Sequence, residues 1–234
     1  MTTRGVAGDA WILALDTATS QIVVGAGRLD GETILKRSRP AGFRHGELLL
    51  DEVQSLMSDA GLRREALAGI IVGTGPGAFT GLRVGLATGK TLAHALRLPI
   101  VGVSTAEALL RAVGDQGIVD GSVEVMLLLP AGPRDRVINR HGAQPQMLPS
   151  GAPLEIGPAT TLVAVDLEGR APDDAVARGA AAQNGLCSAL IKLGSARLRS
   201  GQFDDAEQLV PDYVTLPRGI TASSGSIEWS TDPR

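Results

Sequence analysis

A glycine-rich segment, residues 73–89, is the part of this chain whose composition comes closest to a chemical site. Six of its seventeen residues are glycine, and it links the apolar run of residues 68–72 to a helical pattern. A strand, a glycine turn and a helix entry can hold phosphate groups, because the backbone N–H groups at the start of the helix point at the anion. Glycine also lets the backbone approach another element closely. The segment is therefore either a phosphate site or a close-packing surface.

The spacing of these glycines matches neither of two common phosphate-binding motifs. A dinucleotide fingerprint, Gly-x-Gly-x-x-Gly, read from Gly75 requires a third glycine where Thr80 stands. A P-loop that ends in residues 89–91 requires its first glycine where Val84 stands. Each motif fails at one position, so neither a P-loop nor a Rossmann site is expected.

The later glycines have the periodicity of a helix face. Gly81, Gly85 and Gly89 recur every four residues, which places them along one side of a helix. Each glycine in a helix interior costs about 1 kcal/mol relative to alanine. Close packing must offset that cost, either inside the domain or against a partner.

A polar turn follows the first apolar run of the chain, residues 11–15. Asp16 could coordinate the magnesium ion of a bound nucleotide, or it could be a strand-end aspartate that forms a turn with Thr17 and Thr19. The candidate nucleotide-binding residues are Asp16, Thr17, Thr19, Gly75 and Gly77.

Composition is typical of a globular protein with one large or two small domains, since 44% of the 234 residues are hydrophobic and 20% are charged. A net charge of −3 argues against an independent nucleic-acid-binding protein, which usually carries a basic excess. No apolar run reaches the roughly 18 residues of a membrane span, and residues 1–10 lack the apolar core of a secretory signal. The single cysteine, Cys187, cannot form an internal disulfide, which fits a cytoplasmic protein.

Hydrophobic periodicity predicts an alternation of strands and helices. The expected strands are 11–15, 21–28, 33–37, 70–73, 99–103, 123–129 and 161–165, and the expected helices are 45–60, 81–96, 105–113 and 178–199.

The first half therefore has the order β-β-β-α-β-α-β-α, which indicates an α/β fold that opens with an antiparallel meander and has a mostly parallel sheet covered by helices. We expect a flexible N-terminus over residues 1–10, a first lobe over 11–104, a second lobe over 105–216 and a disordered tail over 217–234. Within the second lobe, residues 130–158 are rich in proline and glycine and predict no element.

Two segments of the chain resemble a known family. Asp16-Thr17-Ala18-Thr19 follows the first strand as the first phosphate hairpin does in actin-like ATPases. Residues 75–85, Gly-Pro-Gly-Ala-Phe-Thr-Gly-Leu-Arg-Val-Gly, are similar to the Gly-Pro-Gly-Ser-Phe-Thr-Gly-Leu-Arg-Ile-Gly hallmark of the TsaB family. The resemblance covers residues 11–113 and fades afterwards to a faint echo at Pro211-Asp212-Tyr213.

The resemblance implies an actin-like ATPase (ribonuclease H-like) fold with two lobes, of which the second is reduced. It also implies an accessory subunit of a threonylcarbamoyl transferase, without activity alone, that acts in the formation of threonylcarbamoyladenosine in tRNA. Its implied partners are a TsaD-like catalytic subunit, in a heterodimer, and a TsaE-like ATPase, with tRNA reached only through the complex. No cofactor is implied for the chain alone, although ATP or ADP with magnesium could bind at the interface of the complex. A homodimer of the isolated chain is also plausible.

Several positions depart from the catalytic TsaD pattern. The two metal-ligating histidines of TsaD-like proteins fall here on Thr105 and Leu109, and leucine cannot ligate a metal. The phosphate loop of those proteins falls near residues 129–133, where two prolines remove amide donors that an anion cradle needs. The second lobe also departs from TsaB itself, as at Thr215. No metal site and no catalytic residue are therefore expected.

The helices 45–60 and 81–96 are the expected partner surface, as the subunit pairing of the family implies. Leu48, Leu49 and Leu50 are consecutive and cannot all point inward. His45 is expected at the start of its helix, partly exposed. The candidate partner-binding residues are His45, Leu48, Leu49, Glu52, Gly81, Arg83, Gly85 and Gly89.

Two other functions remain open from the residues alone. The chain could be a small actin-like ATP-dependent phosphotransferase or ATPase, in which Asp16 would bind magnesium–nucleotide. It could also be a metallopeptidase, an activity that has been attached to the wider family, although the absent ligands argue against it.

Overall fold

A computed structural model describes residues 10–42, 44–119, 123–132 and 134–214 of the chain. Its first sheet has five strands in the order β3-β2-β1-β4-β5, in which β1, β2 and β3 form an antiparallel meander and β4 and β5 run parallel to β1. The strands are β1 (Trp11–Asp16), β2 (Gln21–Arg28), β3 (Thr33–Pro40), β4 (Leu67–Gly73) and β5 (Ile100–Val103).

Helices cover both faces of this sheet. Alternate side chains of β1 enter two different cores: Leu13 and Leu15 pack with α1 (His45–Asp59) and α2 (Phe79–Leu96), while Ile12 and Ala14 pack with α3 (Thr105–Asp115) and α4 (Asp173–Arg199). A strand that is buried on both faces needs apolar residues at successive positions, which is why β1 and β4 are continuous apolar runs.

A second sheet repeats the topology of the first with fewer parts. Its four strands are ordered β8-β7-β6-β9, an antiparallel meander whose first strand pairs with a parallel fourth strand. In the described part of this lobe, the third and fourth strands are joined without the helix that joins β3 to β4. The strands are β6 (Glu124–Ala131), β7 (Asp135–Asn139), β8 (Gln146–Leu148) and β9 (Thr160–Ala164).

The α4 helix joins the two sheets. A Cβ at Gly194 would lie 2.5 Å from Cδ1 of Ile71 in the first sheet, and a Cβ at Gly179 would collide with the carbonyl of Ala164 in the second. Beyond α4, residues 200–214 return to the first lobe, where the backbone N–H of Asp204 donates to the carbonyl of Ile100 at 2.9 Å.

The predicted fold class is confirmed, including the reduced second lobe. Every predicted strand and helix is present, with ends that differ by a few residues except for α4, which begins at Asp173 rather than at residue 178. The prediction missed β7 and β8, which are short and lie in the proline- and glycine-rich stretch. The lobe boundaries stay a prediction. Residues 1–9 and 215–234, on which the predicted terminal segments fall, lie outside the described residues.

Within the described ranges, no helix combines the length and the apolar character that crossing a membrane requires.

Candidate functional site at the β1–β2 turn

The turn between β1 and β2 is buried and is held by hydrogen bonds within the chain. Asp16, Thr17 and Thr19 are 0%, 1% and 3% exposed. One carboxylate oxygen of Asp16, Oδ1, accepts from the backbone N–H of Ala18 at 2.8 Å, and Oδ2 accepts from the Thr105 hydroxyl at 2.6 Å. Burial raises the pKa of Asp16 above its usual value, although the hydrogen bonds from Thr105 and Ala18 act in the opposite direction.

Thr105 connects this turn to the glycine-rich loop. Its hydroxyl donates to Asp16 and accepts from the backbone N–H of Gly75 at 3.0 Å, while its own N–H donates to the Gly75 carbonyl at 2.7 Å. Thr105 and Leu109 are both 0% exposed. The position that holds a metal ligand in the TsaD pattern therefore serves here as a buried hydrogen-bond bridge.

The glycine loop before α2 and the glycine face of α2 pack against the same turn. A Cβ at Gly77 would collide with the carbonyl of Ala18, and a Cβ at Gly81 would collide with the carbonyl of Thr17. A Cβ at Gly85 would collide with the Thr17 hydroxyl, which donates to the carbonyl of Gly81 at 2.7 Å. The glycines thus allow close packing inside the domain, one of the two alternatives that the spacing left open.

Little space remains between the lobes beside this loop. The slot lined by Pro76 and Gly77 of the first lobe and by Pro130 and Ala131 of the second has a volume of about 20 Å³. Such a volume holds on the order of one water molecule, whereas ligand pockets usually measure about 300–1,000 Å³. Of the candidate nucleotide-binding residues, Gly77 lines this slot, while Asp16, Thr17 and Thr19 are buried in the neighbouring turn. Nucleotide binding by these residues stays a prediction. Pro133, part of the predicted phosphate-loop comparison, lies outside the described residues.

Most of the candidate partner-binding residues are buried within the chain. His45 is 4% exposed, with Nε2 at 3.1 Å from the carbonyl oxygen of Thr19, so the expectation that it is partly exposed is wrong. Glu52 is 5% exposed and accepts hydrogen bonds from Arg37 and Arg39, which lower its pKa. The side chains or backbones of His45, Leu48, Leu49, Glu52, Gly81, Gly85 and Gly89 are all buried.

Leu50 on α1 and Arg83 on α2 are among the exposed residues of the same two helices. Leu50 is 57% exposed, so it is the member of the leucine triplet that points outward. Of the candidate residues, only Arg83 is exposed within the chain. A partner that binds these helices would therefore contact their outward-facing side chains, and the partner surface stays a prediction.

Arg83 belongs to an aromatic cluster that the sequence did not predict. Its guanidinium lies 3.8 Å from the ring centroid of Phe79, and its Nε donates to the Tyr213 hydroxyl at 3.0 Å. Tyr213 is brought there by the segment after α4, where Asp212 accepts from the Thr74 hydroxyl at 2.7 Å. Burial raises the pKa of Asp212. The faint family echo at residues 211–213 was the sequence signal that could have located this cluster.

A larger cavity, about 750 Å³, lies between the start of α3 and the β7–β8 connection. Its charged lining includes Glu107, Arg140, His141 and Asp212, so both signs of charge are present. No motif in the sequence predicted it, because its walls come from three separate segments. Among the residues that the structure describes, no group of three or more His, Cys, Asp or Glu side chains could hold a metal ion.

The sheet order, the lobe repeat and the turn at Asp16 define an actin-like fold. This assignment agrees with a solved structure, YeaZ from Pseudomonas aeruginosa, which is 24% identical, has a TM-score of 0.65 and aligns over 88% of this chain and 100% of that chain.

Sequence comparison finds a matching family model and named relatives. A family model described as "TsaD: tRNA N6-adenosine threonylcarbamoyltransferase" matches residues 39–140. The tRNA threonylcarbamoyladenosine biosynthesis protein TsaB of Bacillus subtilis is 35% identical over 103 residues, 42% of either chain. TsaB of Escherichia coli is 35% identical over 94 residues, 40% of either chain. Over this part of its length, the chain resembles the TsaB family.

The sequence match covers only part of these relatives. An uncharacterized protein of Mycobacterium leprae is 39% identical over 112 residues, which make up 46% of this chain and 31% of that protein. The chain thus matches half or less of the length of its curated relatives.

Proposed function

We propose that this chain is a non-catalytic subunit in the formation of threonylcarbamoyladenosine in tRNA. It pairs with a TsaD-like catalytic subunit, recruits a TsaE-like ATPase and acts in the cytoplasm. Similarity to TsaB proteins supports the pathway, since the relatives from B. subtilis and E. coli carry this biosynthesis in their names. The net charge of −3 supports contact with tRNA through the partner rather than through this chain alone.

The observation that carries the non-catalytic role is the closed turn at Asp16. Binding magnesium–nucleotide requires a carboxylate that is open to the metal and amides that are open to phosphate. Here both carboxylate oxygens are already hydrogen-bonded within the chain, and the N–H of Ala18 is used by one of them. Gly77, Gly81 and Gly85 hold α2 in contact with the turn. Any ATP or ADP with magnesium is expected at the interface of the complex instead.

The outward faces of α1 and α2 are the proposed partner surface. Leu50 supplies exposed apolar area, and Arg83 with Phe79 and Tyr213 supplies the residue types that dominate binding energy at protein interfaces. Leu50 can be changed without loss of core packing because its side chain is largely in solvent.

The test is co-purification with the TsaD-like protein of the same genome. Leu50→Glu and Arg83→Glu should each reduce binding by about tenfold or more, since the first buries a charge at the interface and the second reverses one. Ile156→Glu is the matched control, because Ile156 is also an exposed aliphatic residue, at 46%, but lies in the second lobe. Failure of the folded wild-type chain to bind would contradict the proposal, as would equal loss in all three variants.

A second assay separates this function from an ATPase or phosphotransferase. In vitro reconstitution of the tRNA modification should require the chain, while the isolated chain should show no magnesium–ATP binding by calorimetry. Asp16→Asn serves as the near-isosteric variant, since it keeps an oxygen that can accept from Thr105. Nucleotide binding by the wild type that is lost in Asp16→Asn would support the ATPase function instead. Zinc analysis of the purified protein tests the metallopeptidase alternative.

A further inference from the structure

The two lobes are joined near the β1–β2 turn by a carboxylate that receives three hydrogen bonds. The backbone N–H of Ser20 donates to Oδ2 of Asp166 at 2.6 Å, and the Ser20 hydroxyl donates to Oδ1 at 2.6 Å. The Gln183 side-chain amide, from α4, donates to the same Oδ1 at 3.2 Å. Ser20 lies in the first lobe, and Asp166 lies two residues after the end of β9 in the second, so the contact spans 146 residues of sequence.

The backbone around Asp166 orients this carboxylate. Its φ of +55° is in the left-handed region, which Asp tolerates better than most residues because its short side chain can hydrogen-bond locally. The carbonyl of Asp166 accepts from Nη2 of Arg170 at 3.0 Å, which holds the turn from the other side. Asp166 is therefore fixed at both its backbone and its side chain.

A second contact between the lobes is of a different physical kind. Val103 of the first lobe, Leu127 of the second and Leu190 of α4 belong to one apolar core. Apolar burial is non-directional, so it tolerates small rotations. Hydrogen bonds to a charged acceptor are short and directional, so the Ser20–Asp166 contact is lost when the angle between the lobes changes.

We propose that Ser20 and Asp166 form an interlobe latch that sets the angle between the lobes and keeps the slot at Gly77 closed. Release of the latch lets the second lobe rotate about the apolar core around α4. The latch also acts on α2, because Ala18, two residues before Ser20, accepts from the N–H of Ala78 at 2.8 Å. The proposal stands independently of the proposed function, since it concerns the isolated chain.

Amide hydrogen exchange measured by NMR reports on this latch directly, because the Ser20 N–H is one of the hydrogen-bond donors to Asp166. Asp166→Gly removes the carboxylate while suiting the positive φ, and Asp166→Asn keeps one acceptor oxygen. Exchange of the Ser20 amide should become at least about tenfold faster in Asp166→Gly, with Asp166→Asn intermediate. Glu168→Ala is the matched control, because Glu168 is an exposed acidic residue two positions away. It should leave the exchange rate of the Ser20 amide unchanged.

Lobe rotation needs a second measurement. Spin labels at His94→Cys and His141→Cys, both exposed, report the distance between α2 and the second lobe by pulsed EPR, and the buried Cys187 stays unlabelled. Asp166→Gly should broaden or lengthen that distance distribution, whereas Glu168→Ala should not. An unchanged Ser20 exchange rate overturns the latch. Faster exchange with an unchanged distance distribution overturns the rotation, and equal acceleration of core amides such as Ile71 shows general destabilisation instead.

Discussion

The packing of α2 on the β1–β2 turn predicts that Gly85→Ala destabilises the protein, against the usual preference of helices for alanine. The added Cβ would collide with the Thr17 hydroxyl, which is 1% exposed and cannot move into solvent. Alanine gains about 1 kcal/mol of helix propensity. Overpacking a core costs about 1–3 kcal/mol, and displacing the Thr17 hydroxyl from the Gly81 carbonyl costs about 1 kcal/mol more. The free energy of unfolding should therefore fall by about 1–3 kcal/mol.

Gly114→Ala is the matched control for this prediction. Gly114 is also in a helix, α3, but a Cβ there meets nothing within 4 Å. It should be neutral or raise the free energy of unfolding by up to about 1 kcal/mol. In thermal unfolding followed by circular dichroism, 1 kcal/mol corresponds to about 2–4 °C for a chain of this size. Gly85→Ala should thus lower Tm by about 2–12 °C, while Gly114→Ala should raise Tm or leave it unchanged.

A double-mutant cycle isolates the contact itself. Thr17→Ala removes the atom that the new Cβ would meet, so the double variant should recover about 1 kcal/mol or more relative to the sum of the single changes. If Gly85→Ala proves as stable as the wild type, or if the two changes are additive, the close contact between α2 and the turn is wrong.

Three further predictions concern titratable side chains. Burial raises the pKa of Asp16, so the folded state binds this proton more tightly than the unfolded state, and stability should fall as pH rises from about 4 through the raised pKa. Urea unfolding across pH should show this fall in the wild type and not in Asp16→Asn. The pKa of Glu52 is lowered, so its stabilising effect should be lost as pH falls through that lowered value. Glu52→Gln should cost about 1–3 kcal/mol near pH 7, whereas the exposed Glu47→Gln should change stability by less than about 0.5 kcal/mol. Burial raises the pKa of the Cys187 thiol to about 12, so a thiol reagent at pH 8 should label it only after unfolding, and rapid labelling of the folded chain would contradict its burial.

Much of the first lobe could be predicted from local patterns. Residues 11–15 and 70–73 are apolar at successive positions, as strands buried on both faces require, and the spacing of residues in 45–60 follows a helix. The short strands β7 and β8 gave no such signal, because strands of five and three residues carry too few side chains to show a period. The sequence identified the turn at Asp16 and the glycine loop as candidate site residues. It did not predict that the turn is buried and that the glycines pack against it.

What the sequence by itself determined was the set of local elements, the four-residue spacing of Gly81, Gly85 and Gly89, and the resemblance to the TsaB family. Periodicity states which residues share a face of one element, and it holds no information about what lies opposite that face. Only the tertiary structure decided that Gly81 and Gly85 meet Thr17, that Leu50 rather than its two neighbours points outward, and that Ser20 reaches Asp166. Each of these contacts depends on the path of the backbone between distant residues, and that path is determined by the packing of both sheets around α3 and α4.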